Sequence, residues 1–291
     1  MILKAGFIAV LGRPNAGKST LLNWLSGEKL LLVSHKANAT RKRSDVIVMH
    51  GDDQMVFIDT PGLHKKEKLL NKFMLNEALK AHEEADLFIF LVDVFDKTRD
   101  YEEFLALTNK PHILVCTKTD KASKEDRLAC IERFAPFSEH FNDFVPISVP
   151  KNYGKEELLK SIAKLLPEHP YYYDPEILST SQIREIYREL IREALFNGLS
   201  DEIPYECDVV IEKIDEGEGR DVVKATIIAN RESQKGMIVG KGGETIKRIG
   251  RNGRISLENF SRKKIYLELF VKVVKNWVTN PKSLEEMGYE V

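Results

Sequence analysis

A glycine-rich segment near the amino terminus decides the architecture of the first half of the chain. Residues Gly12–Ser19 read Gly-Arg-Pro-Asn-Ala-Gly-Lys-Ser and match the pattern G-x-x-x-x-G-K-[ST]. The segment follows the apolar run Phe7–Leu11 and opens the helix-like stretch Lys18–Leu25. A strand, a glycine-rich loop and a helix in this order predict a phosphate-binding loop, because backbone N–H groups and the helix amino terminus both favour an anion.

Each position of this loop has a predicted role. The backbone N–H groups of Asn15–Thr20 wrap the phosphates, Lys18 reaches the β- and γ-phosphates, and the Ser19 hydroxyl binds Mg²⁺. A glycine-rich turn kept only for packing is the alternative. The predicted nucleotide-binding residues of the loop are Gly12, Asn15, Ala16, Gly17, Lys18, Ser19 and Thr20.

Short apolar runs alternate with helix-like stretches through the first half of the chain. The runs span residues 7–11, 46–49, 56–58, 87–92, 112–116 and 145–147. Helical spacing recurs between or after them, at residues 18–25, 71–83, 126–134 and 155–166. Buried strands separated by helices predict an α/β domain with a mostly parallel sheet covered on both faces. We assign residues 1–170 to this domain.

Two later segments complete a predicted nucleotide site. Asp59, at the end of a buried run, can hold a water on Mg²⁺, and the N–H of Gly62 can meet the γ-phosphate because no Cβ blocks the approach. Asp120 can accept two hydrogen bonds from guanine N1–H and N2–H₂, a pair that adenine cannot offer. The aliphatic stem of Lys118 can lie on the purine face. A solvated charged turn is the alternative for this last segment.

Together these segments resemble the Ras-like translation-factor GTPases. The family carries Asn where this chain has Thr117, so we expect weaker nucleotide binding with guanine selectivity kept by Asp120. The last family motif, Ser-Ala, corresponds to Ser148 and Val149, whose backbone N–H would meet guanine O6. The predicted base-binding residues are Thr117, Lys118, Asp120, Ser148 and Val149.

The catalytic prediction rests on a basic loop and on the residue after Gly62. A GTP switch needs a hydroxyl that binds Mg²⁺ only while the γ-phosphate is present, and Thr40 is the only hydroxyl between Ser34 and Ser44. A flexible basic arm is the alternative. Small GTPases place a water-orienting Gln where this chain has Leu63, so intrinsic hydrolysis should be slow.

Two residues are candidates to assist hydrolysis in place of that Gln. Asn15 could hold K⁺ beside the phosphates, as in similar GTPases, and His64 could handle the water. The predicted catalytic residues are Lys18, Thr40 and Gly62, and the predicted Mg²⁺ ligands are Ser19, Thr40 and Asp59.

The composition changes after the first domain. Residues 167–175 hold three prolines in nine positions, which predicts a stiff extended connector rather than a packed element. We place a linker at residues 171–180 and a second domain at residues 181–291. Apolar periodicity in this second domain predicts the order α-β-β-α-α-β.

The second domain carries a Gly-x-x-Gly tetrad, Gly240–Gly243, flanked by apolar helical residues. This context fits the helix–loop–helix of a KH module, which grips single-stranded RNA. Between Lys224 and Lys275 there are 13 basic and 4 acidic residues, in a chain of net charge −1. Such a local excess predicts phosphate binding, and solvated helix faces are the alternative. Gly250 is expected to end the helix that follows the tetrad. The predicted RNA-binding residues are Ile238, Val239, Gly240, Lys241, Gly242, Gly243, Ile246 and Lys247.

A GTP-binding domain with these motifs and a C-terminal KH module resembles the Era family of GTPases over nearly the whole chain. The resemblance implies an α/β P-loop GTPase domain with a mostly parallel sheet, followed by a smaller α+β KH domain of the type II-like variety. It implies GTP, GDP and Mg²⁺ as ligands and GTP hydrolysis as the reaction. Ala39, like Thr117 and Val149, departs from the family pattern.

The resemblance also implies partners. The KH module would bind the 3′ end of 16S rRNA, the protein would act in assembly of the small (30S) ribosomal subunit, and the nucleotide state would control RNA binding. The expected protein is cytoplasmic and monomeric, with peripheral association with the inner membrane in some members and no integral membrane segment.

Composition excludes several other classes. The three cysteines, Cys116, Cys130 and Cys207, lack C-x-x-C spacing, which argues against a disulfide scaffold or a zinc ribbon. No apolar run reaches the ~18–20 residues that span a bilayer. Two functions remain open beside the GTPase: an RNA chaperone that binds nucleotide but barely hydrolyses it, given Leu63 and Thr117, and a P-loop ATPase or kinase, which Asp120 opposes.

Overall fold

A computed structural model describes residues 3–34, 41, 44–59, 80–81, 83–200 and 203–289. These residues form two compact units. The first takes in the described residues up to Gly27, from Arg41 to Asp59 and from Lys80 to Thr180. The second takes in the described residues 28–34, 181–200 and 203–289. Within the described parts of the chain, no helix is both long and apolar enough to cross a membrane.

The first unit is a six-stranded sheet with helices. Its strands are β1 (Lys4–Gly12), β2 (Ser44–His50), β3 (Asp53–Asp59), β4 (Leu87–Asp93), β5 (His112–Thr117) and β6 (Asp143–Pro146). Its helices are α1 (Lys18–Ser26), α2 (Arg99–Leu105), α3 (Lys124–Phe134) and α4 (Lys155–Leu165). The strand order is β2-β3-β1-β4-β5-β6, and all neighbours are parallel except β2 and β3. The mostly parallel α/β sheet is therefore confirmed.

The register of the parallel strands brings their carboxyl ends to one edge of the sheet. Val10 lies beside Asp59, Gly12 beside Leu91, and Asp93 beside Thr117. Loops that leave this edge collect the side chains of open α/β sites, because every parallel strand ends there. Strands β1, β3 and β5 therefore bring the predicted nucleotide-binding residues Gly12, Asp59 and Thr117 to the same edge, and β4 lies between β1 and β5.

Helix α2 was not among the predicted helices. Only two of its seven residues, Tyr101 and Phe104, are buried, so the sequence carries little periodicity. Both rings pack against Phe90 of the buried strand β4, with centroids 5.4 and 4.8 Å away. Tertiary packing rather than a long apolar stripe holds this helix in place. The predicted helix at 71–83 lies mostly outside the described residues.

The stretch predicted as an unpacked linker is instead packed against the edge of the sheet. The buried amide of Gln54 donates from Nε2 to the Tyr173 carbonyl (2.8 Å) and accepts the N–H of Tyr172 at Oε1 (2.8 Å). Further along, the N–H of Ile47 donates to the carbonyl of Leu178 at 2.9 Å. The reason is that β2 is an edge strand whose outer backbone groups need partners, and an extended segment can supply them.

The second unit is a three-stranded sheet with helices. Its elements are α5 (Ile183–Gly198), β7 (Cys207–Asp215), β8 (Asp221–Ala229), α6 (Glu232–Val239), α7 (Glu244–Ser261), β9 (Ile265–Val273) and α8 (Pro281–Glu286). The strand order is β7-β8-β9, with an antiparallel and then a parallel pair. The predicted order α-β-β-α-α-β is confirmed, with the short α8 added at the end.

The prediction that Gly250 ends a helix is wrong. Helix α7 runs through Gly250 and ends at Ser261, where Arg262 at φ 58° donates its N–H to the Glu258 carbonyl. Ile249 and Leu257 of α7 are fully buried. Burial of this face outweighs the low helix propensity of glycine, which costs only about 1 kcal/mol.

A buried ionic cluster joins α5, β7 and the end of the chain. Asp208 of β7 is fully buried, and its Oδ2 lies 2.5 Å from the Arg188 guanidinium and accepts the Tyr289 hydroxyl at 2.5 Å. Arg192, one turn further along α5, is also fully buried, with its Nε 3.5 Å from Asp208 Oδ1. One carboxylate thus balances two buried cations, and Glu189 at 2.6 Å supports the second.

Candidate nucleotide site and RNA-binding groove

The phosphate loop has the backbone geometry that its glycines allow. Gly12 has φ 142°, and a Cβ there would lie 2.7 Å from the Leu91 carbonyl oxygen of β4. Gly17, at φ 106°, is the residue just before α1, and Asn15 is left-handed at φ 63°. No side chain fits at Gly12, so the sequence pattern reflects a steric requirement. Ala16, within the loop, is fully buried, and Thr20 lies in the first turn of α1.

The amine of Lys18 lies over this loop. Its Nζ donates to the carbonyls of Gly12 (3.0 Å) and Arg13 (3.3 Å). Burial lowers the pKa of Lys18 below its ordinary value, and the nearby Asp59 carboxylate opposes that shift. A cation held beside the phosphate loop can bind a phosphate oxygen in place of these carbonyls.

Ser19 and Asp59 meet below the loop. The Ser19 hydroxyl donates to Asp59 Oδ2 at 3.3 Å, and Asp59 is fully buried at the end of β3. Two hard oxygen donors on rigid elements suit Mg²⁺, which commonly takes one or two protein oxygens and completes its shell with phosphates and water. In the part of the chain that the structure describes, no cluster of three or more acidic, His or Cys side chains could hold a metal.

Thr117 connects the base-binding segment to the phosphate loop. Its buried hydroxyl lies 3.0 Å from the Ala16 carbonyl oxygen and 3.2 Å from the Val92 carbonyl oxygen. The residue that departs from the Ras-like pattern therefore still joins the two segments directly. The effect on nucleotide affinity stays a prediction.

Lys118 lies across the same site in a left-handed conformation (φ 58°). Its Nζ pairs with Asp93 Oδ2 at 2.8 Å and donates to the Asn15 carbonyl at 2.9 Å. Burial favours the neutral acid, but the Lys118 hydrogen bond and charge, the Phe95 N–H and the Arg13 charge together outweigh it and hold the pKa of Asp93 below its ordinary value. The lysine stem is thereby fixed between the phosphate loop and the base-binding segment.

Sequence reasoning missed two acids after β4. Asp93 pairs with Lys118, and Asp96 pairs with Arg13 at 2.5 Å and accepts the Asp93 N–H at 2.8 Å. Burial raises the pKa of Asp96. The sequence feature that could have revealed Asp93 is its place at the end of the buried strand β4. Because β4 lies between β1 and β5, its last residue lies between the loops that follow those two strands.

Asp120 and Ser148 lie together at the end of β5. The Ser148 hydroxyl donates to Asp120 Oδ1 at 2.8 Å, and Asp120 is exposed. The hydroxyl of buried Thr119 donates to the Ile147 carbonyl at 2.9 Å, which holds the two segments against each other. Val149 follows, half-buried. The arrangement presents a carboxylate to a ligand above the sheet edge.

Several predicted catalytic and metal-binding residues lie outside the described residues. They are Thr40, Gly62 and His64, the candidate to handle the water. Their roles stay predictions. Leu63 and Ala39, where the chain departs from related GTPases, also lie outside the described residues.

The Gly-x-x-Gly tetrad is a sharp turn between α6 and α7. Gly240, Gly242 and Gly243 have φ values of 74°, 59° and 79°. A Cβ on Gly240 would lie 2.3 Å from the Thr245 hydroxyl, so glycine is required there. Lys241 and Gly242 are exposed at the tip. The tip can therefore approach a nucleic-acid backbone closely.

A groove of about 650 Å³ runs between α7 and β9. Its apolar lining includes Ile246, Leu267 and Leu269. Its basic lining residues are Arg220, Lys247, Arg251, Arg254 and Lys264. An apolar floor with basic edges can take bases and phosphates of a single strand together.

The structure corrects one predicted groove residue. Ile238 is 0% exposed and belongs to the core, whereas the preceding Met237 is 56% exposed. Consecutive side chains of a helix point about 100° apart, so the prediction assigned to the groove the face of α6 that is buried in the core. Val239 is half-buried, and Ile246 and Lys247 line the groove. Gly250 lines it too, although no sequence pattern indicated this.

Family models match both units. A model described as "50S ribosome-binding GTPase" matches residues 7–118, and a KH domain model matches residues 202–278. With the geometry above, these matches define the class: a P-loop GTPase domain followed by a KH domain.

Curated relatives identify the family. The chain is 48% identical over 276 residues to GTPase Era of Campylobacter hominis, covering 94% of this chain and 96% of that protein. It is 48% identical over 294 residues to GTPase Era of Helicobacter pylori strain G27, covering 99% and 98%. The chain belongs to the Era family and is a GTPase.

Solved structures agree over the whole length. A crystal structure of an Aquifex aeolicus Era variant bound to GDP.AlF4⁻ has a TM-score of 0.92 and 34% identity, with 99% of this chain and 100% of that chain covered. A crystal structure of Era with MgGDPNP and nucleotides 1506–1542 of 16S ribosomal RNA gives the same values.

Proposed function

We propose that this GTPase binds the 3′ end of 16S rRNA in the groove between α7 and β9 and acts in assembly of the 30S subunit. We further propose that its nucleotide state controls RNA binding. The observation that carries the proposal is the groove, which has an apolar floor and a basic edge and is lined by α7, the helix that begins directly after the glycine turn. Binding of nucleotides 1506–1542 of 16S rRNA by an Era relative supports the choice of RNA.

The basic edge fits an extended single strand. Lys247, Arg251 and Arg254 follow each other at four and three residues along α7, so their side chains leave the same side of the helix about one turn apart. Successive phosphates could each meet one cation, while bases turn towards Ile246 and Leu269. Phosphate contacts of this kind give affinity, and contacts within the groove give selectivity.

Each residue of the nucleotide site described above would have its own role in GTP binding and hydrolysis. Lys18 would neutralise charge on the β- and γ-phosphates, Asp120 would hold guanine, and Thr117 would keep the two segments in register. Ser19 and Asp59 would hold Mg²⁺, which when bound would supply charge stabilisation to the transferred phosphoryl group. Leu63 brings no polar atom for orienting water, so we expect slow intrinsic turnover.

Residues 28–34, which follow α1 and lead towards Thr40, support the proposal that the bound nucleotide controls RNA binding. Within the second unit, the Glu193 carboxylate of α5 pairs with Lys29 Nζ (2.7 Å) and accepts the Val33 N–H (3.2 Å). Leu32 packs against Phe196 of the same helix. If GTP draws Thr40 onto Mg²⁺, the displacement passes along this anchored segment to α5.

The test is to make the glycine turn acidic. Lys241→Glu combined with Gly242→Asp should abolish binding of the 16S fragment, because it puts negative charge where a phosphate must approach. The affinity for GTP should stay unchanged. Lys282→Glu on α8 is the control, with a charge change of the same kind at an exposed site away from the groove. Equal loss of RNA and nucleotide binding would count against separable sites.

Other implied properties stay predictions. They are the K⁺ site at Asn15, the monomeric state, the cytoplasmic location and the peripheral contact with the inner membrane.

A further inference from the structure

The indole of Trp24 joins the carboxyl end of α1 to the segment that follows β6. Its Nε1–H donates to Asn152 Oδ1 at 2.8 Å. The Lys155 amine donates to the Trp24 carbonyl at 2.8 Å and lies 5.8 Å from the centre of the indole ring. The last carbonyls of a helix have no partner within it, so a cation at this end is stabilising. Two side chains therefore fasten Trp24 to the segment after β6.

The segment that carries Asn152 is a closed turn, residues 148–153. The N–H of Ser148 donates to the Tyr153 carbonyl, and the N–H of Tyr153 donates to the Ser148 carbonyl, both at 3.0 Å. Asn152 is left-handed at φ 49° and donates its N–H to the Val149 carbonyl at 3.1 Å. Because these bonds cross the turn, a displacement of Asn152 would also displace Ser148.

The other end of this turn contacts the predicted base-binding carboxylate. The Ser148 hydroxyl donates to Asp120 Oδ1 at 2.8 Å, and the N–H of Lys151 donates to the same hydroxyl oxygen at 3.3 Å. Asp120 is exposed. An exposed side chain loses rotamer freedom when it binds a ligand, so a hydrogen bond that fixes its rotamer beforehand favours binding.

Helix α1 therefore connects the two ends of the nucleotide site. Lys18 and Ser19 begin the helix at the phosphate loop, and Trp24 follows six residues after Lys18. At 1.5 Å per residue, this places Trp24 about 9 Å further along the helix axis. A rigid helix with one end at the phosphate loop and the other on the turn of residues 148–153 can fix the distance between phosphate and base.

We propose that Trp24 is a positioning residue for guanine recognition: its indole N–H holds the turn of residues 148–153 where Ser148 can orient Asp120 towards the base. The inference rests on the proposed role of Asp120 and deepens it. Trp24 acts through Asn152 and not by contact with the nucleotide. Its loss should therefore alter the choice of base more than the binding of the phosphates.

The test compares GTP with ITP, whose base lacks the N2 amine of guanine and whose triphosphate is identical. Affinities of the full chain are measured by displacement of a fluorescent GDP analogue. Trp24→Phe keeps a ring but removes the N–H donor, and Asn152→Gly removes the acceptor while it allows the left-handed backbone. Each should lower the preference for GTP over ITP about three- to tenfold, the net worth of one hydrogen bond. The affinity for ITP should fall less than that for GTP.

Three further variants are matched controls. Asn152→Asp keeps an oxygen acceptor and should retain the wild-type preference. Asn276→Gly makes the same exchange at an exposed, left-handed asparagine (φ 58°) of the second unit and should have no effect. The double variant of Trp24→Phe and Asn152→Gly should lose no more than either single variant, because both remove the same contact.

Asp120→Ala separates this inference from the proposed function. If it leaves the preference for GTP over ITP unchanged, the proposed role of Asp120 fails and this inference with it. If it lowers the preference while Trp24→Phe and Asn152→Gly do not, the inference alone is overturned. Equal losses for GTP and ITP, or a loss in Asn152→Asp as large as in Asn152→Gly, overturn it too, because either result indicates general damage rather than loss of one hydrogen bond.

Discussion

At the scale of single residues, the nucleotide site depends on short side chains that join one loop to the next. Thr117 is the clearest example, since its hydroxyl reaches the carbonyl of Ala16 in the phosphate loop. Lys118 and Asp93 form a second connection between the same segments. Such contacts hold the base-binding and phosphate-binding segments at a fixed distance before a ligand arrives, which lowers the entropy cost of binding.

Removal of the Thr117 hydroxyl should weaken nucleotide binding. Thr117→Val keeps the shape but leaves the buried Ala16 carbonyl without this donor, a loss of about 1–3 kcal/mol. GTP and GDP affinities, measured with fluorescent analogues, should both fall about tenfold, and the preference for GTP over ATP should persist because Asp120 is untouched. Thr117→Ser restores the hydroxyl and should recover most of the affinity. Unchanged binding by the valine variant would show that the contact is incidental.

At the scale of elements, the ionic cluster around Asp208 fastens α5 to β7. Asp208→Ala would leave Arg188 and Arg192 buried with one carboxylate fewer, which should cost about 3–5 kcal/mol of unfolding free energy. Urea unfolding of the full chain, monitored in the second unit, measures the change. Asp215→Ala removes an exposed pair with Lys213 and should cost less than about 1 kcal/mol. A similar loss of unfolding free energy in both variants would contradict a special role for the buried cluster around Asp208.

The elements also show what a sequence can predict. Each of the six apolar runs of the first unit falls on a strand, apart from Ile147, which lies one residue beyond β6. A buried parallel strand needs an apolar residue at nearly every position, and that pattern is local. The antiparallel strand β2 is detected by its apolar run as well. Helix α2 and the course of α7 through Gly250 escaped prediction, because contacts with distant residues decide them. The same holds for the site: Lys18 and Asp120 follow from motifs, whereas Asp93 follows only from strand order.

The RNA side was less accessible to prediction. The tetrad Gly240–Gly243 predicts a KH turn, but which neighbours face the groove depends on the helix rotation. Ile238 was misplaced for this reason, and β9 was not seen as a wall of the groove at all. Pairing of β8 with β9 across the intervening helices is a long-range contact that a local pattern does not contain.

At the scale of the whole molecule, the contacts that anchor residues 28–34 to α5 lead us to predict how GTP binding and RNA binding are coupled. Glu193→Ala removes the contacts to Lys29 and Val33. The separate affinities for GTP and for RNA should change little, while the factor by which GTP alters RNA affinity should approach one. Coupling is reciprocal, so the effect of RNA on GTP affinity must fall equally.

Titrations of RNA with and without a non-hydrolysable GTP analogue measure this factor. Glu185→Gln is the control, because it neutralises an acid on the same helix that pairs with Arg188. If Glu193→Ala leaves the factor as large as in the wild type, communication takes another route.

Residues 167–180 pack along the edge of the sheet, and this contact determines where the chain can be cut to prepare the first domain alone. A fragment cut after Leu166 would lose the Leu178 carbonyl that now satisfies Ile47, and with it the cover on an edge strand rich in valine and isoleucine. Bare edges of this kind recruit other chains and aggregate. A soluble version of the domain should therefore keep the chain through Thr180.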